Sequence, residues 1–218
     1  MQSPYKFNIW LPLLCWLLCM ALPGIAQEWE LTKQQDGVSV FSRPLPNNLL
    51  QIKALTTVTA SHETFIRLLE DVGHCTKWIA NCKKIEIIAT PDQATRVVHT
   101  FFSAPWPIRD RDVVTRSVTT KNQKTLEIRI EDAGQTYPLT PKHVRMTDVN
   151  GQWRLVEIPD GTMTVSYMGT GSPAGEIPDW LAKGVLLDSI FETFYKLKTV
   201  ITDPQYTLAP AVTDTRLP

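Results

Sequence analysis

The sequence predicts an α+β domain: a curved antiparallel sheet closed around one long helix near the C-terminus. Three observations predict it. From Lys83 onward apolar residues recur at every second position through a long series of short segments, the signature of strands with one face buried. A Pro/Gly-rich run, residues 171–178, then ends the series. After it, residues 179–201 carry a single apolar face, with Leu187, Ile190, Phe194, Leu197 and Ile201 in line and Val185, Leu186 and Phe191 beside them. That arc is too broad for a helix resting on a thin strip and suits one wrapped by a concave sheet. A sheet gripping a helix leaves an apolar tunnel between the two.

The elements follow in order. Met1 to Ala26 has a positive start at Lys6, an apolar stretch from Phe7 to Leu22, and Gly24-Ile25-Ala26. This pattern predicts a secretory signal peptide cut after Ala26. The competing reading is a membrane anchor. The run falls short of the ~20 residues that span a bilayer, and Pro23-Gly24 breaks it. Two short strands, 29–33 and 38–42, flank the turn Gln35-Asp36-Gly37. A third, 50–59, is rich in β-branched residues. Ser61 is placed to cap a helix whose face is Phe65, Ile66, Leu68, Leu69 and Val72, with Gly73 ending it. Six successive strands are expected after Lys83, with Asn150-Gly151 read as a hairpin turn. Asp179 starts the long helix behind Pro178. The expected boundaries are a leader at 1–26, one domain at 27–202 and a loose tail at 203–218.

Composition narrows the function classes. Lys and Arg total 22 and Asp and Glu total 22, so the chain has no overall attraction for nucleic acid. Export predicts a periplasmic or secreted protein, read as a monomer. Cys75 and Cys82 remain after cleavage, in a compartment where disulfides persist, and a bond between them is expected. The bland alternative is two small buried hydrophobes. A zinc site would need more ligands nearby than His74.

Three local patterns carry a family likeness. They are Asp36-Gly37-Val38-Ser39-Val40-Phe41-Ser42-Arg43, then Pro105-Trp106-Pro107-Ile108-Arg109-Asp110-Arg111-Asp112-Val113-Val114, then Pro173-Ala174-Gly175-Glu176-Ile177-Pro178-Asp179-Trp180-Leu181. In this order and spacing the chain resembles the START family, the steroidogenic-acute-regulatory-related lipid-transfer domains, from Trp29 to about Ile201. The resemblance implies a helix-grip fold with an internal lipid tunnel, no cofactor and no chemistry. Some sterol-binding members place an acid and an arginine in the cavity. The corresponding stretches here offer His99 and Arg116 without a matched carboxylate, so the likeness implies a lipid or other hydrophobic small molecule, with transient membrane contact, and does not single out a sterol.

Residues expected at the ligand are Leu187, Ile190, Phe191 and Phe194 from the helix, and Phe101, Trp106 and Tyr167 from the sheet or the mouth. Trp153 and Trp180 are further aromatic candidates. The same residues in a filled core would look alike in sequence. Tyr167, Thr115 and His99 are the expected polar groups of a mostly apolar site. In Arg109-Asp110-Arg111-Asp112, ion pairing is the plainer reading, and Arg111 is the member that the strand carries inward or to the tunnel mouth. Mobility for ligand access is expected at Gly171, Gly175 and Gly184. Two other classes are carried forward. One is an enzyme like the cyclases and aromatases of the wider superfamily, for which His99 with Glu127 or Asp132, or His143 with Asp148, would supply acid–base chemistry. No Gly-X-Ser-X-Gly, His-Glu-X-X-His or phosphate-binding glycine loop occurs. The other is a structural or partner-binding envelope protein with no ligand.

Overall fold

The structure is a computed structural model that describes residues 28–46 and 49–207. The leader read at 1–26, Asn47-Asn48 and residues 208–218 lie outside the described residues. The chain opens with β1 (Glu30–Gln35), β2 (Val38–Pro44) and β3 (Leu50–Val58), then α1 (His62–Glu70) and a 3₁₀ segment, Val72–Lys77. A long run follows: β4 (Cys82–Ala89), β5 (Thr95–Phe102), β6 (Arg111–Lys121), β7 (Thr125–Asp132), β8 (Val144–Arg145), β9 (Thr147–Glu157) and β10 (Met163–Ser172). Two helices close the domain, α2 (Asp179–Val200) and α3 (Pro204–Thr207).

All the strands join one sheet, in the order β1-β2-β3-β10-β9-β7-β6-β5-β4. Every pair is antiparallel except β8, which runs parallel beside the start of β6. The chain leaves β3, crosses to the far edge at β4, and returns strand by strand until β10 pairs with β3. The crossover carries α1 onto the face that also receives α2. A sheet this wide curls, and the curl encloses both helices. The result is the helix-grip architecture.

Local chemistry accounts for most of the boundaries. Asp36 and Gly37 both have positive φ, 50° and 75°, the backbone of a two-residue hairpin turn matched to strand twist. Lys198 of α2 donates to the Asp36 carbonyl and ties that turn to the helix. Ser61 caps α1 by accepting from the Thr64 N–H. The helix stops at Glu70, ahead of Gly73, because Asp71 leaves helical geometry and its N–H closes on the Arg67 carbonyl.

The Asn150-Gly151 hairpin does not form. β9 runs straight through it, with Asn150 opposite Thr170 and Gly151 opposite Gly169. The β9–β10 turn lies at Pro159-Asp160-Gly161 instead, where Ile158 donates to Thr162 and Gly161 has φ 85°. Gly171, expected in a turn, is a β10 residue packed against Val149. The tail is ordered one helical turn further than expected. Tyr206 is 3% exposed, and its hydroxyl donates to Asp71 at 2.7 Å.

The core sits between the inner sheet face and the helices. Val38, Val40, Ala54, Leu155 and Val165 are fully buried there with Phe65 and Phe194. Trp153 is its hub: Phe65, Trp78 and Tyr167 lie within 4.8–6.4 Å of its ring, and Phe194 stacks on it at 5.5 Å. No described helix is long and apolar enough to cross a membrane.

Candidate ligand-binding site

Register decides which side chains face the helices. Trp153 points inward onto Phe194. Its partner Ile128 shares that face, and the pairing continues through Thr119 with Ile128, Ser117 with Ile130 and Thr115 with Asp132. On β5 the inward residues are therefore Val98, Thr100 and Phe102, opposite Thr115, Val113 and Arg111.

The inner face is unevenly filled. α2 packs against β2 and β3, where the inward residues are buried. On the other flank Val98, Thr100, Phe102, Thr115, Ser117, Thr119 and Ile130 are only half-buried. From the helix, Leu187, Ile190 and Phe191 are likewise half-buried beside the core. Tyr167 belongs to this wall. Protein surrounds it closely enough that desolvation pushes its phenol pKa up to about 12, yet part of its side chain stays accessible.

An open cleft of about 540 Å³ lies between the start of α2 and the β5–β6 loop, lined by Asn81, Ser103, Pro105, Trp180 and Gly184 among others. Two tryptophans stand at this end of the molecule. Trp106, in that loop, is 92% exposed, and Trp180, on the first turn of α2, is 75% exposed. Asn81 and Thr193 hold the helix to the neighbouring segment through Asn81 to Ser189 at 2.8 Å and the Ala80 N–H to Thr193 at 3.0 Å.

Arg111 reaches inward but is committed to backbone. Its guanidinium donates to the carbonyls of Pro173, Ala174 and Arg109. It thus pins the turn that launches α2, in which Ala174 and Gly175 both have positive φ, 51° and 71°. Burial, with Arg109 nearby, lowers the pKa of this 7% exposed cation. Cys75 and Cys82 form a disulfide, Cα atoms 6.1 Å apart, between the 3₁₀ segment and the first residue of β4.

Several expected ligand contacts belong elsewhere. Phe101 faces outward: it shares the outer face of β5–β6 with His99 and Asp112, touching the His99 ring at 4.1 Å and the His143 ring at 5.4 Å. Trp106, expected on the sheet side or at the mouth, projects into solvent and lines no sheet wall. Phe194 is 0% exposed and stacked in the filled core, with no surface left for a ligand.

His99 is not a polar group of the inner wall either. It meets Asp112 at 2.7 Å on the outer face. The same Asp112 oxygen accepts from Thr140 at 2.7 Å and from Arg145 Nε at 2.9 Å. Arg145 also donates to the carbonyls of Gly134 and Pro138. This fully buried carboxylate fastens the segment 133–145 onto the outer face. Burial opposes its ionisation, but Arg145, Thr140 and His99 outweigh burial and hold its carboxyl below the usual carboxylate range. The acid–base pairs offered by sequence do not assemble: Glu127 pairs with Arg154, and His143 bonds the Pro141 carbonyl. Among the described residues no group of three His, Cys, Asp or Glu could hold a metal ion.

Sequence reasoning missed Ser117, Thr119, Ile130 and Asp132 as inner-face residues. The signal was present in the alternation of β7, whose Leu126, Ile128 and Ile130 all point inward, once its partner on β6 is known.

Comparison with known proteins agrees with this architecture. An uncharacterized protein of Pseudomonas aeruginosa is 29% identical over 178 residues, 81% of this chain and 88% of its own length. The solved structure of a STAR-related lipid transfer protein from Xanthomonas axonopodis superposes with TM-score 0.72 at 26% identity, over 79% of this chain and 98% of that one. Human STARD10 shares the fold with TM-score 0.72 at 21% identity, over 82% and 75% of the two chains. The START domain family matches residues 24–200. With that match over most of its length, and a curved sheet gripping a C-terminal helix, the chain belongs to the START domain family.

Proposed function

We propose that this domain binds a lipid between α2 and the inner face of β5, β6 and β7, and exchanges it with a membrane without chemical change. The observation that carries the reading is the half-buried inner wall. Val98, Phe102, Ile130 and Tyr167 keep accessible surface although they face α2, across from Leu187 and Ile190, whereas Phe191 turns toward β1, where Lys33 Nζ lies 4.2 Å from its ring centroid. A filled core would bury them. Apolar surface of this kind returns about 25 cal/mol per Å² when a ligand covers it, offset by the cost of ordering both partners.

Membrane contact follows from Trp106 and Trp180. Tryptophan is amphipathic and favours the boundary between water and hydrocarbon. Trp180 lines the cleft beside the start of α2, where a lipid would pass, and Trp106 follows Pro105, another of its lining residues. The domain acts as a monomer, since one copy carries both the wall and the tryptophan pair.

Export completes the reading, with cleavage after Ala26. The Cys75–Cys82 disulfide supports it, because such bonds persist outside the cytoplasm. Protein recovered from its native envelope has a mass beginning at Gln27 and no free thiol before reduction. Native mass spectrometry of that material carries the functional test. Co-purifying lipid that is released on denaturation is expected. A ligand-free protein that also fails to take up lipid from vesicles would overturn the lipid reading in favour of a structural envelope protein.

A further inference from the structure

The inner wall has a polar end. Moving from Trp153 toward the turn that launches α2, the register passes Ile130 with Ser117, then Asp132 with Thr115. Asp132 accepts from the Gly134 N–H at 2.7 Å and distantly from the Val149 N–H at 3.5 Å. Among the described residues it has no ion-pair partner. Two buried arginines at this end are engaged elsewhere: Arg145, which lies with Asp132 against Gly134, holds Asp112 and backbone carbonyls, and Arg111 holds backbone carbonyls. Lys183, one turn before Leu187, is exposed to solvent.

Tyr167 supplies the second observation. Its hydroxyl extends over Gly151 and Gly169, the row between its own and that of Asp132. Desolvation alone governs this phenol, which makes no hydrogen bond among the described residues and stays protonated. The polar end therefore presents a carboxylate that only accepts, hydroxyls on Tyr167 and Thr115 that donate or accept, and a Ser117 hydroxyl that donates to the Arg96 carbonyl at 3.4 Å and can accept. A lipid hydroxyl satisfies both, donating to Asp132 and accepting from Tyr167. A phosphate or an ionised carboxylate offers acceptors alone and meets Asp132 as a like charge.

We infer that the lipid held here ends in an uncharged hydroxyl-bearing group, and that Asp132 with Tyr167 selects it over lipids ending in carboxylate or phosphate. The inference rests on the lipid-binding reading above.

The test titrates the mature protein with a monoacylglycerol, a fatty acid and a lysophosphatidic acid of one chain length, at mildly alkaline pH where the fatty acid is ionised. Monoacylglycerol binds about tenfold tighter than fatty acid, the scale of one hydrogen bond to a charged group, and lysophosphatidic acid binds weakest. Asp132→Asn keeps an acceptor for Gly134. It narrows the preference to about threefold or less, chiefly by admitting the fatty acid. Tyr167→Phe, the second variant, weakens monoacylglycerol about fivefold and fatty acid less. Equal wild-type affinity for all three lipids sinks this inference and leaves the lipid reading intact, as does an unchanged preference in both variants. Binding of none of the three removes both readings together.

Discussion

The side chain of Tyr167 lies over Gly151, close enough that a β-carbon on that glycine would stand 2.5 Å from the phenol oxygen and 3.0 Å from two ring carbons. The glycine in Asn150-Gly151 therefore serves clearance within a strand and not a turn. Gly151→Ala forces the ring off its seat and into the space before α2. A loss of about 1–3 kcal/mol is expected, the cost of overpacking, read as a lower denaturant midpoint. Tyr167→Phe added to Gly151→Ala removes the closest contact and recovers part of that loss. No recovery would show that the strand itself resists the alanine.

Acid sensitivity centres on Asp112. Its carboxyl titrates below the ordinary value of 3.8, because its bonds to Arg145, Thr140 and His99 outweigh burial. A folded-state value below the unfolded one contributes stability that is fully present above the unfolded pKa. That stability is lost as pH falls through the folded value. Denaturant unfolding from neutral pH down to about pH 3 and below should show this decline. Asp112→Asn leaves Arg145 buried without its counter-charge, costs about 3–5 kcal/mol at neutral pH, and flattens the acid limb. An acid limb as steep as in the wild type would assign it to other carboxylates.

Leu187 and Phe194 sit two turns apart on α2 and should respond in opposite ways. Phe194 is fully buried against Trp153, so Phe194→Ala opens a cavity and costs about 3–5 kcal/mol. Leu187 is half-buried, and a larger side chain there has space to enter. Leu187→Trp should change stability by less than about 1 kcal/mol while blocking uptake of fluorescent lipid. Unchanged uptake with an overpacking loss of stability would place Leu187 in filled core.

The last ordered turn is held by Tyr206. Its hydroxyl donates to Asp71, and its carbonyl accepts from Arg67 Nε at 2.6 Å. Burial and the Asp71 carboxylate both raise its phenol pKa. Tyr206→Phe keeps the ring and removes one charge-assisted bond, costing about 1–2 kcal/mol. Tyr206→Ala costs more and exposes the end of α2 to faster hydrogen exchange. An alanine variant as stable as the wild type would return α3 to the loose tail.

The sequence by itself determined the class of the fold and the order of its parts. Alternation along β5 to β7 and β10 was legible because the pleat puts neighbouring side chains on opposite faces. The broad face of α2 was legible because it is buried by a curved wall. The pairing of Asp36 with Gly37 was legible because few other residues tolerate two successive positive φ values. Which face of β5 and β6 points inward was decided only by tertiary structure. These strands carry apolar side chains on both sides, Val98 and Phe102 inward, Val97 and Phe101 outward, because the segment 133–145 covers part of the outer face through Asp112. A one-residue change of parity exchanges the two faces. Phe101 and His99 were misplaced for that reason, and Asp132 was considered only as a partner of His99 and not as a residue of the inner face. Trp106 and Phe194 are both large aromatics that the sequence offers alike for a wall or a core. One ends in solvent and the other in the core, because burial depends on what the rest of the chain brings to each site, and those contacts are remote in sequence.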